Sequence, residues 1–109
     1  MEKTITPDEA KVLTQKLVQT FENLAQKHAF KPKQLVRWKQ GLKNKGVPEY
    51  NEPAIVWQVL PEPHFDTANA QRAGTSYYHE PLDLVLAVMD KDDNFVMHYY
   101  NSRRFEPIY

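Results

Sequence analysis

The sequence predicts an α+β domain, with one amphipathic N-terminal helix packed on a small antiparallel β-barrel of four or five strands, and three stretches carry that expectation. Leu82 to Phe105, LDLVLAVMDKDDNFVMHYYNSRRF, reads as a β-hairpin, because two apolar runs, Leu82 to Met89 and Phe95 to Tyr100, flank the polar connector Asp90-Lys91-Asp92-Asp93-Asn94. Thr6 to His28 repeats apolar residues at helical spacing, and Ala54 to Leu60 is β-branched and aromatic. A hairpin alone does not hold its apolar face out of water, so further strands and the helix are expected to cover it.

Thr6-Pro7-Asp8-Glu9 is a helix start. Thr6 is placed to cap, Pro7 occupies the first position, where its missing N–H costs nothing, and Glu9 closes a capping box. Ala10, Leu13, Leu17, Phe21, Leu24 and His28 then follow steps of three and four, with Lys11, Gln15, Gln19, Glu22 and Gln26 opposite, which predicts a helix over about residues 6–29. Such a stripe docks on the β-half or forms a homodimer seam, and the hairpin's need for a cover favours the β-half.

Pro32 disfavours helical geometry at Lys31 and ends the helix. A strand follows over 34–39, with Val36 and Trp38 on one side and Leu35 and Arg37 on the other. Gly41, the run Lys43-Asn44-Lys45-Gly46, Pro48 and Pro53 mark a loop of about a dozen residues, a length that usually signals function or mobility. The next strand, 54–60, is read with Ile55, Trp57 and Val59 on its core face and is ended by Pro61 and Pro63. Residues 61–81 carry no period, although Tyr77-Tyr78 suits the start of a further strand. In the hairpin, Leu82, Leu84, Leu86 and Val88 share the core face, and Asn101 to Pro107 reads as a turn or short 3₁₀ piece returning Phe105 and Ile108 to the core. The core candidates are Phe30, Trp38, Ile55, Trp57, Leu84, Leu86, Phe95 and Phe105.

The order of these strands, with long early loops and a tight last turn, resembles that of SH3-like barrels. FKPKQLVRWK is similar to the opening phenylalanine–proline–glycine–aspartate–x–valine segment of small bacterial SH3-like proteins, and SRRFEP resembles their closing turn. Lys33-Gln34 stands where glycine–aspartate is commonest, which implies loss of the usual tight opening turn. The span Phe30 to Tyr109 is also similar to uncharacterised bacterial proteins that share the W-K-x-G-L-x-N run, the P-A-I-V strand and S-R-R-F-E-P. The resemblance covers the β-half and implies a fold without implying a reaction.

The 109 residues suit one domain, the helix over about 6–29 and the β part over about 30–109. The absence of cysteine excludes disulfides and thiolate metal sites and fits a reducing compartment. No run approaches the ~18 apolar residues of a membrane span, so a cytoplasmic chain with no membrane partner is expected. Net charge is zero but unevenly placed: residues 1–49 hold ten Lys/Arg against five Asp/Glu, and residues 50–109 hold four against nine.

Asp90-x-Asp92-x-Asn94 imitates a calcium loop but continues with Phe95 and Asn101 where that loop requires glycine and glutamate, so a hairpin connector is the better reading. The histidines His28, His64, His79 and His98 lack the close spacing of a metal face, and no metal or cofactor is expected. Neither Ser76 nor Ser102 has a glycine elbow, and Asp83 and Glu80 read as strand-edge charges. A non-enzymatic binding module is therefore expected, with Arg37, Lys39, Lys43, Lys45, Tyr50, Tyr99, Arg103 and Arg104 as ligand-binding candidates and Tyr100 beside them. Basic residues interleaved with aromatics suit single-stranded nucleic acid or a protein partner. Two other readings are an inhibitor or immunity-type protein working through Glu62, Asp66, Glu80, Asp83, Asp90, Asp92 and Asp93, and a small enzyme built on His64, His79 and His98.

Overall fold

The computed structural model describes residues 4–65 and 78–108. Helix α1 spans Pro7–Ala25, and the strands are β1 Leu35–Trp38, β2 Ala54–His64, β3 Leu82–Met89, β4 Phe95–Tyr100 and β5 Phe105–Pro107, with a 3₁₀ turn at Ser102–Arg104. They form one antiparallel sheet in the order β4-β3-β2-β1-β5. The sheet has β4 and β5 as its edges and is not closed into the expected barrel.

The N-terminal capping box forms, with Thr6 Oγ1 accepting from the Glu9 N–H at 3.1 Å. The helix ends at Ala25, short of residue 29, because its final turn is closed from outside: the Lys39 ammonium donates to the carbonyl oxygens of Asn23 and Gln26, each at 2.5 Å. Helix α1 does not pack on the sheet as expected. No residue of it is buried, and it meets the 3₁₀ turn near its C-terminal end.

Pro32 and Lys33 form a tight turn closed by the Gln34 N–H donating to the Lys31 carbonyl at 3.2 Å. The turn expected to be lost with glycine is thus retained, and Lys33 takes a left-handed backbone with φ 75°. A side chain there is strained, so Lys33→Gly should raise the free energy of unfolding by about 1 kcal/mol, read by urea denaturation. A destabilised glycine variant would show that the Lys33 side chain makes compensating contacts.

Strand β2 continues through Pro61 and Pro63 to His64. The prolines are tolerated because its pairing with β3 is irregular between Val59 and His64, so no regular ladder bond is needed from them. A second register shift between Val56 and Gln58 marks a bulge at Trp57. Ala54 and Val56 face the core, which corrects the expected face: Ile55 is only partly buried and Trp57 is 55% exposed. On β3 the expected face holds, with Leu82, Leu84, Leu86 and Val88 all buried.

The core is built from these residues with Val36, Trp38, Tyr100 and Phe105, while Phe30 packs partly against it and Phe95 is exposed. Trp38 stacks on Phe105 with ring centroids 4.2 Å apart, and Tyr100 meets Phe105 edge-on at 5.2 Å. The long loop is strapped to this cluster, since Trp38 Nε1 donates to the Pro48 carbonyl at 2.6 Å and the Tyr100 hydroxyl to the Val47 carbonyl at 2.8 Å. Burial pushes the Tyr100 hydroxyl up to about 12. Tyr78 to Pro81 have no regular structure, and the suggested strand start at Tyr77 lies outside the described residues.

Candidate functional site

Strand pairing decides which of the expected basic residues remain free. Arg37 on β1 stands opposite Glu106 on β5, and its Nε donates to Glu106 Oε2 at 3.0 Å. Lys39 leaves the surface altogether, being 4% exposed with its ammonium turned to the end of α1. Burial pulls its pKa down, Glu106 opposes that shift and Arg103 adds to it. Arg104 grips Glu80 with two nitrogens, Nε to Oε2 at 2.7 Å and Nη2 to Oε1 at 2.6 Å, while Nη1 donates to the Leu42 carbonyl at 3.1 Å. Burial pushes the Glu80 carboxyl up, but the Arg104 hydrogen bonds and charge outweigh it and hold the group below its ordinary range.

The remaining candidates are dispersed. The Lys43 N–H donates to the Tyr50 hydroxyl at 3.3 Å, which places Tyr50 over the loop. Arg103 is exposed, its backbone N–H bonded to Asn101 Oδ1. Lys45 and Tyr99 come together with His64, His98, Leu82 and Tyr100 around a shallow hollow, and the His64 and Tyr99 rings stack at 4.2 Å. Tyr100 contributes no free aromatic face, since it is 1% exposed.

Three of the acidic candidates, Glu80, Asp83 and Asp90, are likewise committed to structure. Asp83 accepts from the N–H and hydroxyl of Ser102 at 2.8 and 2.9 Å. Asp90 Oδ1 accepts from the N–H groups of Asp92 and Asn94, which closes the hairpin connector and holds the Asp90 carboxyl below its ordinary range. Asp66 lies outside the described residues. Among the described residues no three His, Asp or Glu side chains converge as a metal site, and no helix is long and apolar enough to cross a membrane.

The surface that does emerge is one that sequence reasoning missed. Residues paired in register lie on the same side of a sheet. Leu35, Ile55, Ala87 and Met97 therefore form one row across four strands, continued by the pairs Met89 with Phe95 and Val85 with Tyr99. Trp57 follows Ile55 on that side by alternation. Leu35 is 39% exposed, Tyr99 45%, Met97 47%, Phe95 55% and Met89 58%, while Ala87 between them is buried, so the outer face carries a band of apolar and aromatic side chains that is open to solvent mainly along β4 and at the end of β3. The signal was the second phase of the same alternation that defines the core: Phe95, Met97 and Tyr99 share one side of β4.

Comparison with known proteins gives no matching family model, no matching curated protein and no matching solved structure.

Proposed function

We propose that this chain is a small SH3-like binding module that recognises a protein partner without catalysis, through the outer face of its sheet. The β1–β5 pairing and the 3₁₀ turn before β5 support the SH3-like reading, since first and last strands approach in that order. One observation carries the choice of a protein over nucleic acid: the band is rich in aromatic residues and methionine, the composition of an interface core. An apolar patch of this kind on a soluble domain marks an interaction surface.

The charges point the same way. Lys39, Arg37 and Arg104 serve the fold, which leaves Lys43, Lys45 and Arg103 of the expected cations, dispersed on the loop and the 3₁₀ turn. If these three met phosphates, the salt slope for a single strand would be no steeper than about −2.

Site-specific photocrosslinking tests the reading. A benzoyl-phenylalanine placed at Met97 should give a discrete protein adduct in the producing cell, and the same group at Asp93 should not. Phe95→Asp should abolish the adduct. An oligonucleotide titration with a slope steeper than about −3 would overturn the proposal in favour of nucleic acid, as would a Met97 probe that captures no protein.

A further inference from the structure

Besides the outer sheet face, the chain leaves a second apolar surface open, on α1. Leu13, Leu17 and Phe21 succeed one another at steps of four and so form one stripe. They are 48%, 64% and 74% exposed. Among the described residues, helix α1 is held mainly at its C-terminal end, through the Lys39 ammonium, the 3₁₀ turn and Thr20, which lies close to Gly41. A radius of gyration of 16.3 Å agrees with a helix that stands off the body, since a compact chain of this length has one of about 13 Å. A helix of this length gains most of its stability from packing an amphipathic face, and here that face has nothing to pack on within the described residues.

We propose that the outer face of the sheet receives α1 from a second copy of this chain, so that two copies exchange helices about a two-fold axis. This rests on the reading of that face as a protein-binding surface and names the partner. A helix laid on a sheet is one of the few layer arrangements that bury both apolar faces. The dimensions agree, because the stripe from Leu13 to Phe21 rises about 12 Å and the band crosses three strand spacings of about 4.8 Å, or about 14 Å. Counting the exposed parts of its aromatic and large aliphatic side chains, each copy offers on the order of 800 Å² from the stripe and the band together, the amount a stable interface takes from each partner. A two-fold pairing satisfies both faces of both copies at once and leaves no open face for further growth.

The absence of cysteine makes the test clean. Sedimentation of the full chain should give a species of twice 12.8 kDa. Leu17→Asp and Phe95→Asp, both at exposed positions, should each give a folded monomer by circular dichroism. Chains carrying Leu17→Cys mixed with size-tagged chains carrying Met97→Cys should form the mixed disulfide at least about tenfold faster than Leu17→Cys chains bond to each other, because docking raises the effective concentration of the mixed pair alone. A monomer at all concentrations overturns the exchange. So does faster bonding between two Leu17→Cys chains, which identifies a helix–helix seam. If the Met97 photocrosslink still captures a different protein, the binding-module reading survives the loss of the exchange.

Discussion

Phe105→Ala should lower the free energy of unfolding by about 3–5 kcal/mol, the cost of emptying a buried aromatic site. The ring is 0% exposed and lies between Trp38, stacked at 4.2 Å, and Tyr100, edge-on at 5.2 Å. It also opens β5, a strand of three residues held to the sheet by its pairing with β1, so the cavity forms where the ladder is shortest. Neither neighbour is free to collapse into it, because Trp38 is bonded to the Pro48 carbonyl and Tyr100 to the Val47 carbonyl. Urea denaturation of the variant beside Trp57→Ala gives an internal control: Trp57 is 55% exposed, and its loss should cost less than about 1 kcal/mol in the monomer. A small effect at Phe105 together with a large one at Trp57 would mean that the two faces of the sheet have been exchanged.

That contrast shows where the sequence stops being sufficient. The hairpin was legible because its pattern is local: a two-residue period, Leu82 to Val88, set against an Asp-rich connector whose first side chain folds back on its own backbone. The helix start was legible for the same reason, since Thr6 and Glu9 complete each other within one turn. Trp57 was not, because both phases of Ala54 to Leu60 are largely apolar, and a period read along one strand does not say which of its two sides meets the core. Nor was the fate of the cations. Arg37 and Glu106 lie 69 residues apart and Arg104 and Glu80 lie 24 apart, so only the folded chain reveals that they neutralise each other, the first pair through strand pairing and the second through the 3₁₀ turn. Lys39 follows an inward-facing tryptophan and spends its charge on the carbonyls of a helix that ends before β1 begins. Amphipathicity, finally, states that α1 needs a partner without stating that its own sheet is not the one it meets.

Arg104→Ala should be the other large loss, about 2–4 kcal/mol at neutral pH, because it leaves a mostly buried carboxylate without its counter-charge and the Leu42 carbonyl without a donor. The side chains of Arg104 and Glu80 are 18% and 20% exposed, too enclosed for water to replace the guanidinium fully. The dependence on pH identifies the cause. In the native chain Glu80 binds a proton less readily than it does unfolded, because Arg104 outweighs burial. The unfolded chain therefore takes up more protons as pH falls through the carboxyl range, and the stability supplied by the pair, fully present above the ordinary value of 4.5, is lost as pH drops through the lowered folded value. Without Arg104 the balance moves the other way. Burial is then opposed only by the Asn101 and Asn44 hydrogen bonds, so the carboxyl rises and the folded variant takes up the proton more readily than the parent, losing less stability on acidification. Urea denaturation of parent and variant from neutrality down to about pH 4 should show the gap between them narrowing as Glu80 protonates, whereas Glu80→Gln, which keeps an acceptor for the guanidinium, should follow a flatter curve than the parent. A gap that stays constant over the same range would mean that Arg104 acts through packing of its aliphatic stem and that its charge does not anchor the segment carrying Glu80.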